Sequence, residues 1–149
     1  MSVTLRKGTK EDLPQILELI KELALFEKAP EQVENTVEKM KKDGFGSNPV
    51  YWFFVAEHQG KIIGTAIYYL RYSTWKGIRL YLEDLIITEK ARGKGAGKML
   101  FEACIREAKA KGYSGMAWQV LDWNTPAIDF YKTYDAHLDG EWINGSLDF

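Results

Sequence analysis

Polar and apolar positions alternate over Val3-Thr4-Leu5-Arg6, as in a short strand, and then switch to a helical period. Leu13, Ile16, Leu17, Ile20, Leu23 and Ala24 recur on one helical face, which leaves Glu18, Lys21 and Glu22 to water. Thr9 with Asp12 marks the start of this helix, Pro14 lies near enough to that start to be tolerated, and the pattern ends near Phe26-Glu27. Ala29-Pro30 interrupts the chain. Val33, Val37 and Met40 predict a second, shorter helix that stops at Asp43-Gly44.

From Tyr51 the texture changes to strands: Tyr51 to Glu57, a turn at His58-Gln59-Gly60-Lys61, Ile62 to Tyr72, a connection at Ser73 to Gly77, and Ile78 to Ile87. Short links between adjacent strands imply an antiparallel meander. Gly97 to Lys111 is helical, with Met99, Leu100, Ala103, Cys104 and Ala108 on its apolar side and Gly112 as its stop. Met116 to Leu121 reads as a further buried strand. Asn124 caps a last helix running from Ala127 to Tyr134, with Pro126 where its missing N–H costs little. The tail from Glu141 to Phe149 reads as a final edge strand. Passage from the Ile78 strand through a helix to the Met116 strand requires parallel pairing, so the expected fold is α/β with an α+β-type mixed sheet, antiparallel first and then parallel, flanked by about four helices.

Composition narrows the partners. The chain has 149 residues, 46% of them hydrophobic, enough for one compact domain spanning 1–149 and too few for two ordinary ones. Twenty basic residues against twenty-one acidic, without a basic run, argue against a nucleic-acid partner. No basic-then-apolar leader or long apolar run is seen, so the expectation is a cytoplasmic protein without a membrane partner. Cys104 is the only cysteine and sits in an apolar-periodic helix, the setting of a buried structural thiol. His58 and His137 have no companion at ligand spacing, so no metal is expected.

The candidate chemistry centres on Tyr81 to Leu100: a buried strand carrying Glu83 and Asp84, a turn, a glycine-rich loop and a helix start. Such a loop offers backbone N–H groups to an anion, because glycine permits close approach and the first N–H groups of a helix lack intrahelical partners. Gly97-Lys98 has Arg92 and Met99 where a mononucleotide P-loop needs glycine and a hydroxyl residue. Neither Gly93-Gly95 nor Gly95-Gly97 is followed by the third small residue of a dinucleotide fingerprint. Arg92-x-x-Gly95-x-Gly97 does fit the pyrophosphate loop of the GNAT N-acetyltransferases, and the sequence resembles that superfamily here.

The resemblance covers most of the chain. Leu23-Ala24-Leu25-Phe26-Glu27, Asp43-Gly44-Phe45-Gly46, Ser73-Thr74-Trp75-Lys76-Gly77, Tyr81-Leu82-Glu83-Asp84, Asp122-Trp123-Asn124 and Phe130-Tyr131-Lys132 are similar to the diamine acetyltransferase branch, which includes spermidine/spermine and thialysine acetyltransferases. It implies acetyl-CoA as co-substrate and a small primary amine as acceptor. Glu83 is matched to the carboxylate that collects the amine proton, and Tyr131 to the phenol that protonates the departing thiolate. Leu85, Ile86 and Ile87 match the strand whose backbone holds the acetyl carbonyl and pantetheine arm. Arg92, Gly93, Lys94, Gly95, Ala96, Gly97 and Lys98 match the pyrophosphate loop, and Asn124, Thr125, Pro126 and Ala127 the stretch beside the cofactor arm.

Phe26, Glu27, Glu83, Ala117, Trp118 and Gln119 match acceptor-contacting positions, and Asp84 and Asp122 are placed to deepen a negative field. Asp122 is more like the thialysine subgroup. Asp135 departs from the branch, which usually has glycine there. Each of these residues also has a structural reading: a carboxylate satisfied in a sheet, an aromatic packed on one, solvated surface cations. Two other functions stay open, a non-catalytic acyl-CoA-binding module and an acetyltransferase acting on protein lysines. The branch implies a homodimer, and the tail from Glu141 to Phe149, with no proline or lysine guarding its edge, is the segment expected to be covered by a partner.

Overall fold

The computed structural model describes residues 2–149. It divides into two compact units at the boundary between Trp118 and Gln119. The first holds β1 (Thr4–Lys7), α1 (Leu13–Phe26), α2 (Val37–Phe45), β2 (Trp52–His58), β3 (Lys61–Ser73), β4 (Gly77–Ile87), α3 (Ala96–Ala110) and β5 (Met116–Trp118); the second holds α4 (Thr125–Lys132).

The five strands form one sheet in the order β1-β2-β3-β4-β5. The first four pair antiparallel, and β4 pairs parallel with β5, so the mixed sheet expected from the chain is present. On one face α1 and α2 close a core of Leu13, Ile16, Leu17, Leu19 and Met40 against Phe53, Val55, Ile62, Ile67 and Ile86. On α3, Leu100, Phe101, Ala103, Cys104 and Ala108 are buried, and that helix packs on β2, β3 and β4. Cys104 is a free, fully buried thiol, and burial with a contribution from Glu107 pushes it up to about 12. β3 can approach this region closely only because residue 64 is glycine: a Cβ there would lie 2.5 Å from Ile87 Cδ1 and 2.9 Å from the Ile86 carbonyl oxygen.

Local signals set the helix starts. The Thr9 N–H donates to Asp12 Oδ2 (2.8 Å), and Asp12 also receives both Nη1 and Nη2 of Arg6 at 2.8 Å. Arg6 also pairs with Glu57 on β2, so one guanidinium joins β1, β2 and the entrance to α1 and holds the Asp12 carboxyl below its usual range. α2 begins four residues after Val33: Thr36 Oγ1 accepts from the Lys39 N–H (3.2 Å), while Val33 is extended, so a good N-cap outranks the apolar spacing that suggested an earlier start. The strand expected over Met116–Leu121 is paired only as far as Trp118.

In the second unit the Asn124 side chain caps α4, accepting from the Ala127 N–H (3.4 Å). No strand forms over Glu141–Phe149, contrary to the edge strand expected there. Trp142, Ile143 and Leu147 are 80%, 97% and 83% exposed, and a strand without a ladder partner or an apolar surface beneath it has nothing to hold it. Asp135, where the resemblance favours glycine, has φ +56°, a left-handed conformation that glycine adopts freely and aspartate tolerates better than most residues.

Candidate active site

The centre of the site is an irregularity in β4. Ile67 of β3 pairs with Asp84 while Tyr68 pairs with Leu82, so Glu83 is an extra residue in a β-bulge. A bulge sets two residues of one strand opposite a single residue of its neighbour and re-aims their side chains. Asp84 therefore lies opposite Ile67, whose side chain belongs to the core beneath α1, and Glu83 is the unpaired residue inserted between the Ile67 and Tyr68 pairings, so the strict alternation of the strand is broken at these two carboxylates. Glu83 is exposed and Asp84 half-buried. Pairing with β5 ends at Leu82↔Trp118, so along Glu83–Ile87 the alternate backbone N–H and C=O groups that point away from β3 have no ladder partner in the sheet. Leu85 and Ile87, half-buried, turn their backbone away from β3 and offer free N–H donors, while Ile86 between them has a buried side chain and faces β3 with its backbone.

Three carboxylates converge here. Burial pushes Asp84 up to about 7, with Glu83 and then Glu27 adding to the rise. Glu27, the C-cap of α1, is raised by burial. Tyr69 and Tyr81, paired across β3 and β4 with ring centroids 5.1 Å apart, are both raised, by burial first and then by Glu83. Arg71 lies over the Tyr81 ring at 5.4 Å. The result is a negative site walled by aromatic rings, suited to a cation. Its acidity has a stability consequence. Between pH about 4 and 7 the folded chain retains a proton on Asp84 that the unfolded chain releases, so stability falls as pH rises, and the full penalty is present above pH 7. Asp84→Asn should stabilise the protein by up to about 4 kcal/mol at pH 8 and by little at pH 4. Denaturant titrations of both proteins across that range check this, and a pH-independent difference would refute it.

Beyond β4 the chain makes a 3₁₀ turn, Glu89–Ala91, and then the glycine loop. Gly93 and Gly95 have φ of +80° and +84°, and a Cβ at either would meet no atom within 4 Å. Gly95 caps α3, whose first ladder bond runs from the Met99 N–H to the Gly95 carbonyl (3.1 Å). The N–H groups of Ala96, Gly97 and Lys98 precede that bond and project from the helix end, with Lys94 and Lys98 beside them. Open space at the two glycines, projecting amides and positive charge fit a pyrophosphate. Arg92 is otherwise engaged: its Nε donates to the Ile87 carbonyl (3.1 Å), its guanidinium carbon lies 5.4 Å from the centre of the Phe26 ring, and Nη2 is 4.0 Å from Glu22 Oε2.

The first unit thus brings Phe26, Glu27, Glu83, Asp84, Leu85, Ile86 and Ile87 into one region, with the loop from Arg92 to Lys98 following directly from the strand. Ala117 and Trp118 lie on β5 in register with Tyr81 and Leu82. In the second unit Asn124, Thr125, Pro126 and Ala127 form the capped start of α4, and Tyr131, the one buried residue of that helix, lies further along it. Gln119 Nε2 donates to Asn144 Oδ1 (2.9 Å). Glu22, assigned to solvent by helical periodicity, instead binds the segment after β4, because periodicity marks a face and not what a long side chain reaches. Among the described residues no group of three or more His, Cys, Asp or Glu is placed to hold a metal ion, and no helix is long and apolar enough to cross a membrane.

The acetyltransferase (GNAT) family model matches residues 13–135, and the chain belongs to that family, whose members transfer acetyl from acetyl-CoA. It is an N-acetyltransferase, of the branch its motifs indicated. The chain is 40% identical over 143 residues to the thialysine N-epsilon-acetyltransferase of Sus scrofa, covering 91% of this chain and 84% of that protein. It is 34% identical over 139 residues to the spermidine/spermine N(1)-acetyltransferase-like protein 1 of Homo sapiens, covering 89% of this chain and 20% of that one. The crystal structure of an aminoglycoside acetyltransferase from an uncultured soil metagenomic sample, in complex with trehalose, matches with a TM-score of 0.80 at 20% identity over 99% of this chain and 96% of that one, a likeness of fold.

Proposed function

We propose that the protein transfers acetyl from acetyl-CoA to the primary amine of a small diamine, polyamine or lysine-like acceptor such as thialysine, by direct attack. The observation that carries this reading is the convergence of Glu27, Glu83 and Asp84 beside the free edge of β4, immediately before an anion-cradling loop. A cationic acceptor would lie against the carboxylates, and Phe26, Glu27, Ala117, Trp118 and Gln119 are its proposed contacts. Its nitrogen must be neutral to react, and Glu83, exposed at the bulge, is the proposed acceptor of the ammonium proton, directly or through water.

In the transfer itself the amine nitrogen bonds to the thioester carbonyl carbon, and the C–S bond then breaks. Backbone N–H groups along Leu85–Ile87 would hold the carbonyl oxygen as it gains charge. The thiolate of CoA takes a proton from the proposed acid, Tyr131, whose phenol donates without being charged beforehand. Arg92 to Lys98 would cradle the pyrophosphate, chiefly through backbone N–H groups, and Asn124 to Ala127 would line the cofactor arm. No metal and no covalent enzyme intermediate is part of this scheme. Acetyl-CoA turnover against a panel of diamines, polyamines, thialysine, lysine and lysine-containing peptides tests it. Turnover confined to peptides would replace the small-amine acceptor with a protein one, and CoA binding without turnover of any acceptor would reduce the protein to a binding module.

The whole chain, 1–149, is proposed to act as a single N-acetyltransferase domain, supported by a family match that runs across the boundary at Trp118. A cytoplasmic location and a homodimeric state belong to the same proposal. For the dimer, the exposed Trp142, Ile143 and Leu147 of the tail supply apolar surface that a two-fold partner would cover. Sedimentation at micromolar concentration should show twice the 17.1 kDa chain mass, and a fully active species at the chain mass would overturn it.

A further inference from the structure

The segment joining β4 to the glycine loop is held from outside, by α1. Thr88 precedes the 3₁₀ turn at Glu89–Ala91, yet its hydroxyl does not cap that turn. Thr88 Oγ1 instead donates to Glu22 Oε1 (2.9 Å), and the Glu89 N–H donates to Glu22 Oε2 (3.0 Å). One carboxylate therefore takes the turn's leading N–H and the neighbouring hydroxyl, doing from α1 what an N-cap side chain does locally. The Thr88 N–H is bound to the Ile63 carbonyl (2.9 Å), which fixes this point to β3 as well. At the other end of the turn, Arg92 is tied back to the Ile87 carbonyl and lies over Phe26, with Glu22 at 4.0 Å.

Glu22 is half-buried, and Phe26 stands one helical turn further along α1, next to Glu27. The same stretch of α1 thus grips the stem of the anion cradle and supplies the proposed acceptor-side residues. We infer that Glu22 is a positioning residue, which sets the glycine loop relative to the acceptor-side end of α1 and so tunes the affinity for acetyl-CoA without touching it. The inference rests on the loop being the pyrophosphate site.

Two substitutions separate positioning from general stability. Glu22→Leu removes both acceptor oxygens, whereas Glu22→Gln keeps the length and one acceptor but loses the charge and the second acceptor. The expected result is a rise in the KM for acetyl-CoA of about tenfold in Glu22→Leu and about threefold in Glu22→Gln, with kcat at saturating acetyl-CoA changed less than KM. Thr88→Val should raise the same KM, and its effect should shrink in the Glu22→Leu background, because the two side chains share one interaction. Thermal melting of each protein reports folding. If Glu22→Leu does not fold, Glu22→Gln and Thr88→Val still carry the test. A lower melting temperature with unchanged KM would make Glu22 purely structural and overturn the inference. If the wild type binds no CoA by calorimetry, the pyrophosphate reading fails and the positioning role falls with it; a wild type that binds normally beside folded variants with wild-type KM sinks the positioning role alone.

Discussion

Glu83→Gln is expected to lower kcat/KM for the amine acceptor about 10²-fold, a loss of about 2.7 kcal/mol of transition-state stabilisation, while CoA affinity stays close to wild type. An alkylamine with a pKa near ~10 is almost wholly protonated at neutral pH, so the chemistry waits on removal of that proton. Asp84 is half-buried and pushed up to about 7, by burial first, whereas Glu83 is exposed, so Glu83 is the carboxylate of the pair within reach of solvent and of an incoming amine. Glutamine preserves the shape and cannot take the proton. The deficit should therefore be greatest at low pH, where the protonated amine predominates, and should narrow as the amine deprotonates unaided. Tyr131→Phe tests the other end of the reaction: it should slow the chemical step with CoA binding nearly intact. Wild-type rates in both variants would return these side chains to packing roles.

Gly95→Glu is expected to abolish CoA binding. Position 95 has φ +84°, which costs a residue with a Cβ roughly 1–2 kcal/mol, and that strain alone would not remove binding. The larger effect is electrostatic. The space around a Cβ at 95 is open, so a carboxylate there would be free to enter the cradle, satisfy the projecting amides of α3 and repel the pyrophosphate. Calorimetry on a variant with a cooperative melt decides it, and unchanged CoA affinity would remove the basis for placing the cofactor at this loop.

Long periodic elements were legible in the chain. The apolar spacing from Leu13 to Ala24 located α1, expected to end near Phe26-Glu27 and ending at Phe26, and the strand-like runs between turn signals from Tyr51 to Ile87 located three strands within a residue at each end, β3 being buried at consecutive positions from Ile62 to Tyr68. The glycine loop was legible because its turn into α3 takes positive φ at Gly93 and Gly95, which glycine adopts freely. The bulge was not: one extra residue leaves the apolar pattern of Tyr81 to Ile87 readable as an ordinary strand, and only the register with β3 reveals Glu83 as the unpaired residue beside Asp84. The rise of Asp84 was hidden as well, because it comes first from burial of that carboxyl in the fold and only then from Glu83 and Glu27 beside it. The tail failed in the opposite sense. Its apolar residues, Trp142, Ile143, Leu147 and Phe149, suggested an edge strand, but a strand is completed by a neighbour, and local sequence does not supply one.

The lone thiol on α3 gives the protein an internal clock. Only a thiolate is alkylated at an appreciable rate, and a fully buried Cys104 held at about 12 offers almost none to a reagent in water. Modification must wait until α3 lifts from the sheet. The rate of alkylation under native conditions therefore measures how often that helix opens, and a fall in that rate as acetyl-CoA is added is the result expected if the cofactor binds at the helix's N-terminus as proposed.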